Sequence, residues 1–375
     1  MQVSMMKPCR ESVLHFSTGE PSWLQEKRLQ AFDLFEKKDM PSFKYGLGVF
    51  AKLDFDLTET PIKKVILAPS TVEGIKLLSL SEALLDKELS EKIKRYWGAL
   101  LPMNTKIDAF HYSFCDTLVI LNEKDSCLNL HFAIEEFAAH HILIFVKENT
   151  KLFITEHVTG NGLRTNKVEI IVGKNATAEY TTLQNMEGGF VFSTKAAEVW
   201  ESGSVKWFDV QLGADHAKSE IISDLRAPYA QAHIKSVFFG IHNQVFDMHT
   251  IVIHNASDTK STIISKGCLD HHAKTVYIGL IDVGQNAPRS NGDQKEQTLL
   301  LSEDAEMDTL PDLVIHNHDV RCHHSASVGN LDSQTLFYLT SRGLNEKEAK
   351  RLLVSGFFVD IDDIQIQNMI QERLA

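Results

Sequence analysis

Ile234-Lys235-Ser236-Val237-Phe238-Phe239-Gly240 is echoed 39 positions on by Ala273-Lys274-Thr275-Val276-Tyr277-Ile278-Gly279. A second echo links Lys147-Glu148-Asn149-Thr150-Lys151-Leu152 to Gly173-Lys174-Asn175-Ala176-Thr177-Ala178, 26 positions apart. Both belong to a stretch, from Phe110 to about Ile315, built of short alternating apolar runs broken by Asn, Gly and Asp. Val168-Glu169-Ile170-Ile171-Val172, Ile251-Val252-Ile253 and Val276-Tyr277-Ile278-Gly279 are typical, and helix-forming segments are scarce throughout. Such spacings fit one or two coils of a β-solenoid, in which each turn buries its inward side chains only by stacking on its neighbours. A β-sandwich has similar short strands. The echoes favour the solenoid, so the expected fold is mainly β.

Outward from this core the texture changes twice. Residues 1–105 read as mainly helical. Leu29, Phe32 and Phe35 follow helical spacing between Gln25 and Lys37, Met40-Pro41 ends that helix, and a second helical region is expected over 71–96. Residues 106–331 form the β core, and 332–375 return to helix. Asp332 is a plausible N-cap for 333–341, and Gly343 supplies a left-handed stop. Asn345 and Glu348 have capping-box spacing. Ala349, Leu352, Leu353, Gly356 and Phe357 then fall on one apolar stripe. It can pack on the end of the β core, serve as a docking face, or do both.

The composition, 43% hydrophobic and 23% charged over 375 residues, is that of a soluble globular protein. A formal charge of −12 without any basic run argues against a nucleic-acid partner, because phosphate neutralisation needs clustered Lys and Arg. Residues 1–16 lack a signal-peptide core, and the strongest apolar run, Ile142-Leu143-Ile144-Phe145-Val146, is far short of a membrane span. The expected location is the cytoplasm, or an organelle stroma after removal of a targeting segment, with no membrane partner.

Five scattered cysteines without a Cys-x-x-Cys pair exclude a disulfide framework and a zinc knuckle. Cys115, Cys127 and Cys268 read as small buried hydrophobes. Cys322-His323-His324 is different, because a thiol and two imidazoles in consecutive positions suit soft or borderline transition metals. On a strand, Cys322 and His324 share a face while His323 points away, which makes half a metal site. A buried Cys beside a hydrogen-bonded His is the alternative. His249, His254, His271, His272, His316 and His318 would form a ridge only if coils stack them together. The chain has no P-loop, no Gly-x-Ser-x-Gly elbow and no His-Glu-x-x-His, and Gly160-Asn161-Gly162 reads as a turn. No enzymatic activity is expected.

The segment Asp319-Val320-Arg321-Cys322-His323-His324-Ser325-Ala326-Ser327-Val328-Gly329, followed by Leu336-Phe337-Tyr338-Leu339-Thr340-Ser341-Arg342-Gly343, resembles the hallmark block of the SufB/SufD family of iron–sulfur cluster assembly proteins. The resemblance extends back through Pro311, Leu299-Leu300-Leu301-Ser302, Gly279, Lys266-Gly267, Thr259 and Ser261, and His254-Asn255 to Asp247 and His249. Glu20-Pro21-Ser22-Trp23-Leu24 with Arg28 resembles the family's opening. SufB relatives carry a cysteine just before the Leu-Leu run, where this chain has Glu296-Gln297-Thr298, and a Glu-His-Glu signature where it has Cys322-His323-His324. The chain is therefore similar to the SufD branch, from which it departs at Ser325, where Gly is usual.

The resemblance implies a right-handed parallel β-helix with helical terminal regions. It also implies a heterodimer with a SufB-type paralogue and a SufC-type ABC ATPase bound to the C-terminal helices, with Leu336, Phe337, Tyr338, Arg342, Gly343, Lys347 and Arg351 in the docking region. A homodimer is the alternative when SufB is absent. His324, with Cys322 in a secondary role, would face a SufB cysteine and hold iron or a nascent cluster shared with that partner. This chain alone would not bind it tightly. A reduced flavin in the assembled complex is a further cofactor that the resemblance brings. Two rival readings remain: a β-helix carbohydrate-active enzyme, which would need a groove of paired carboxylates, and a stand-alone metal-binding structural protein.

Overall fold

The computed structural model describes residues 6–41, 43–45, 49–51, 55–62, 71–361 and 363–374. The rest of the expected N-terminal helical region (1–5, 42, 46–48, 52–54 and 63–70), with 362 and 375 of the C-terminal block, lies outside the described residues.

Strands account for 47% of the chain and helices for 22%, and the strands wind into a parallel β-solenoid of about eight turns. In chain order, β1 (Phe43–Tyr45) and β2 (Val49–Ala51) pair antiparallel, and β3 (Thr71–Val72) and β4 (Ile75–Ser79) lead antiparallel into β5 (Asp116–Asn122). Then come β6 (Ser126–Ile134), β7 (Phe137–Val146), β8 (Lys151–Val172), β9 (Thr177–Gln184), β10 (Gly188–Val199) and β11 (Ser204–Gln211). The later coils hold β12 (His216–Leu225), β13 (Gln231–Gly240), β14 (Val245–His254), β15 (Lys260–Leu269) and β16 (Lys274–Val283). They end with β17 (Asn291–Leu300), β18 (Glu306–Ile315) and β19 (Arg321–Asn330). One sheet stacks β5, β7, the second half of β8, β10, β12, β14, β16 and β18, all parallel. The other stacks β6, the first half of β8, β9, β11, β13, β15, β17 and β19, also parallel.

One coil advances 26 residues early on, where Lys151 lies beside Thr177, and 30 at the end, where Asn291 lies beside Arg321. The 26-residue echo is therefore one coil. Its asparagines occupy the same corner, both left-handed (Asn149 φ 59°, Asn175 φ 55°), with Asn175 Nδ2 donating to Asn149 Oδ1 at 3.0 Å. Ser202, Tyr229, Asp258 and Arg289 continue that left-handed corner. The 39-residue echo is not a coil: Ile234 pairs with Ile263, and the Ala273 segment runs into the opposite sheet. It records two strands of like inward–outward alternation. Gly160 bends β8 from one sheet to the other; its φ is 99°, and a Cβ there would stand 2.1 Å from the Ile134 carbonyl oxygen.

Helices cover the outer faces. Near the N-terminus lie α1 (Arg10–Phe16), α2 (Ser22–Lys37), α3 (Leu80–Ala83), α4 (Lys87–Tyr96) and α5 (Lys106–Phe114). Phe32, Phe35, Phe110 and Phe114 pack with Val119, Leu143 and Phe192 on the outside of the first sheet. Arg28 is buried at their centre, its Nε and Nη2 donating to Glu20 at 2.7 and 2.8 Å, which accounts for the Glu20…Arg28 opening. The expected helix over 71–96 is corrected: residues 71–79 form β3 and β4, because the edge of β5 offers Ile75 and Leu77 a ladder and a buried face.

At the other end α6 (Ser333–Ser341), α7 (Glu346–Phe357) and α8 (Ile364–Arg373) follow β19. Asp332 caps α6, Gly343 is left-handed at φ 102°, and Asn345 and Glu348 form the capping box of α7. Val354, Phe358, Ile361, Ile366 and Ile370 bury against Val210, Val237 and Phe239 on the outside of the second sheet. Lys266 pins this block, donating to the Phe357 carbonyl at 2.9 Å and to Asp360 at 2.6 Å.

Candidate functional site

β19 is the last strand of the solenoid, and Cys322 lies beside Gly292 and His324 beside Gln294 of β17. Gly292, Gln294 and Glu296 are the buried, inward row of β17. Cys322 and His324 continue that row, and His323 takes the opposite face, as a pleated strand requires. In earlier coils the next coil covers such positions. β19 has no successor among the described residues, so Cys322 is only half-buried, against the interior core, and His324 is exposed.

Burial pushes the Cys322 thiol up, against the lowering effect of a hydrogen bond from the Gly292 backbone. The thiol therefore stays protonated at neutral pH, and a metal would have to displace that proton to bind. Among the described residues no group of three His, Cys, Asp or Glu side chains could hold a metal ion. The six histidines singled out from the sequence form no metal-binding ridge among the described residues. His254 is buried between Thr259 Oγ1 (2.7 Å) and Ser261 Oγ (2.9 Å), with its pKa pushed down to about 4 by burial, and so locks a corner. His249 is held by Asp247 at 2.6 Å, beside Lys218. His316 and His318 are exposed. Cys127 is also exposed, not a buried hydrophobe, because Leu128 takes the inward position on β6.

Beneath the last coil lies a residue that sequence reading used only as a branch marker. Glu296 is 1% exposed, and its partners are hydroxyls: Thr298 donates to Oε1 at 2.5 Å. Burial pushes its carboxyl up to about 7, against hydrogen bonds from Thr298 and Thr309. Next to it Gln294 spans the interior. A Cβ on Gly279 would stand 2.1 Å from its amide nitrogen, so any larger residue there would make the Gln294 side chain shift.

The open end also carries exposed apolar side chains: Leu310 (39%), Val314 (39%) and Ile315 (43%) on β18 and Val328 (41%) on β19. The neighbouring helices carry more, with Phe337 73%, Tyr338 54% and Leu352 53% exposed. Arg342 lies over the Tyr338 ring at 5.2 Å, Lys347 is exposed, and Leu336 and Arg351 are half-buried. The expected stripe of α7 is split. Ala349 packs inward with Val354, whereas Leu352 and Gly356 face out.

No helix among the described residues is long and apolar enough to cross a membrane. Residues 131–357 match the family described as SUF system FeS cluster assembly, SufBD core domain. An iron–sulfur cluster assembly SufBD family protein of Staphylococcus aureus (strain USA300) is 28% identical over 398 residues, covering 90% of this chain and 85% of the relative. A protein of the same description from Staphylococcus epidermidis is 28% identical over 397 residues with the same shares. With the solenoid, the Cys322–His324 strand and the flanking helices in place, the chain belongs to the SufB/SufD family of iron–sulfur cluster assembly proteins.

Proposed function

We propose that this chain is the SufD-type, non-catalytic subunit of a cytoplasmic cluster assembly complex, pairing through its open solenoid end with a SufB-type paralogue. One observation carries the reading: the inward row that holds Cys322 and His324 is left uncovered beside exposed Leu310, Val314, Ile315 and Val328. An apolar, unfinished coil end marks a surface on which another element stacks. A second chain would do this and add the donors that Cys322 and His324 lack. Iron or a nascent cluster is then cargo held between two chains, with His324 as the principal ligand from this side and Cys322 secondary. A homodimer through the same face is the alternative state without the paralogue.

The block 332–375 is the docking region for a SufC-type ATPase in this reading. Phe337, Tyr338 and Leu352 form its exposed apolar face, with Leu336, Arg342, Gly343, Lys347 and Arg351 shaping the helices around it. A reduced flavin belongs, in this reading, to the assembled complex and not to this chain alone.

The test is anaerobic co-expression with both partners, followed by iron and sulfide analysis. His324→Ala should leave the complex intact and lower the cluster content several-fold, and Cys322→Ser should lower it less. Undiminished cluster in the His324→Ala complex overturns the assignment.

A further inference from the structure

We propose that the solenoid interior around β8 to β11 is a hydration site, in which ordered water bridges the orphaned ends of Gln184 and Gln211 and, one coil earlier, those of Arg164 and Asn166. The ligand is water, and its task is to solvate two ion pairs that the fold has buried.

The pairs are Arg164 with Glu156 and Lys195 with Asp209, and all four side chains are 1% exposed or less. Charges taken out of water are tolerated only when their remaining hydrogen-bonding positions are filled as well. Protein groups fill many of them. Thr182 donates to Glu156 at 3.3 Å, Ser219 to Asp209 at 2.8 Å, and Gln211 Nε2 to both Asp209 oxygens at 3.1 Å. Arg164 Nε, Asn166 Oδ1, Gln184 Nε2 and Gln211 Oε1, by contrast, have no hydrogen-bond partner among the described residues. These side chains too are 1% exposed or less, so bulk solvent does not reach them.

Gln184 of β9 and Gln211 of β11 are neighbours in register. Other bonds fix the orientation of each amide. The Gly213 N–H donates to Gln184 Oε1 at 2.9 Å, so the unused atom of Gln184 is a donor. Gln211 Nε2 is occupied by Asp209, so the unused atom of Gln211 is an acceptor. Neighbouring rungs thus present one donor and one acceptor that do not bond to each other. A water accepts from the first and donates to the second. β8 repeats the arrangement with Arg164 and Asn166, two residues apart and so on one face. Arg164 Nη2 donates to Glu156 and Asn166 Nδ2 donates to Ser193 Oγ at 3.3 Å, which leaves Arg164 Nε as donor and Asn166 Oδ1 as acceptor.

The mixture of donors and acceptors selects water. An anion would meet acceptors and a cation would meet donors. The charges of the two pairs also cancel, two positive against two negative, so an ion of either sign would bring its own uncompensated charge. An apolar ligand would leave the orphaned atoms unpaired.

The test is a crystal structure of the full chain at a resolution that shows ordered water. Density about 2.7–3.2 Å from both Gln184 Nε2 and Gln211 Oε1 is expected, with a second peak between Arg164 Nε and Asn166 Oδ1. Each bridge stands or falls by its own peak. Groups that bond each other directly, or stand apart with nothing between them, overturn it. Oxygen-17 relaxation dispersion in solution counts long-lived internal water independently of the lattice. Gln184→Met combined with Gln211→Met removes both orphaned atoms at nearly constant volume and should lower that count by about one, with circular dichroism as the fold control. An unchanged count in the folded double variant overturns the glutamine bridge. Should that variant not fold, the density in the wild-type crystal alone decides.

Discussion

One inward column of the second sheet runs Glu156, Thr182, Asp209, Ser236, Ser265, Glu296, Ala326, each beside the next in register. Its three carboxyls meet different fates. Glu156 is paired with Arg164 and Asp209 with Lys195, and both cations come from the facing sheet and are buried. Glu296, near the open end, has only hydroxyl partners among the described residues. Early coils neutralise their buried charge internally, so they are finished objects. The last coils leave a neutral acid inside and a thiol and an imidazole uncovered above it. The difference locates the part of the molecule that assembly completes.

The sharpest way to break this contrast is to remove the cation from a finished coil. Lys195→Ala leaves Asp209 buried with Gln211 and Ser219 as its remaining partners. An orphaned buried charge of this kind destabilises by about 3–5 kcal/mol. Glu296→Gln, at a pH of about 6 where the acid is already neutral, should change stability by no more than about 1 kcal/mol. Denaturant unfolding midpoints for the two variants check both. Equal losses would mean that Glu296 has a counter-charge after all.

The pH dependence of stability sharpens the same comparison, because the two kinds of buried group pull in opposite directions. Burial pushes His140 down to about 3 and His216 and His254 to about 4, from an ordinary 6.5. As pH falls below 6.5 the unfolded chain takes up protons that the folded chain refuses, so stability is lost progressively toward about pH 4. Glu296, raised by burial from 4.5 to about 7, behaves in reverse. Its contribution is fully present below 4.5 and is lost as pH rises through 7, because only the unfolded chain then releases the proton. Glu296→Gln should therefore gain on the wild type as pH rises across that window, by at most about 1.4 kcal/mol per unit, and then level off. A difference that stays flat with pH would contradict a buried neutral acid.

Much of this was legible in the chain itself, for identifiable reasons. Asn149 and Asn175 betray a coil because both occupy a left-handed corner, a conformation that Asn adopts more readily than most side chains. Asp332, Gly343 and Asn345 mark helix ends because capping is local chemistry. The shared face of Cys322 and His324 follows from the two-residue period of a strand. What escaped depends on distant partners. Residues 71–79 become strand only because β5 lies alongside. Lys266 pins helices some ninety residues later in the chain (|i−j| 91 to Phe357). The weight of Glu296 lies in the absence of a cation opposite it among the described residues, which no local pattern records. The exposure of His324, likewise, reflects a neighbour that is missing and not the residue itself.

The smallest effect on the fold should come from the most exposed position of a second column. Phe132, Val158, Gln184, Gln211, Phe238, Gly267, Thr298 and Val328 stack in register, so Val158 and Val328 are the same residue type in the same row. Val158 is 0% exposed and Val328 is 41% exposed. Val158→Asp would place an unpaired carboxylate among stacked coils and should cost about 4 kcal/mol or more. Val328→Asp keeps its charge in water and should change the stability of the isolated chain by about 0.5 kcal/mol or less. The same substitution would put a charge on the exposed end on which a second chain is proposed to stack, so pairing should weaken severely while the melting temperature of the monomer stays put. Sedimentation of the variant with its paralogue, read beside thermal melting of each chain alone, separates the two outcomes. If Val328→Asp unfolds the chain, the last coil is covered from within. If it leaves pairing untouched, the open end faces water in the complex, and the contrast between finished and unfinished coils has no bearing on assembly.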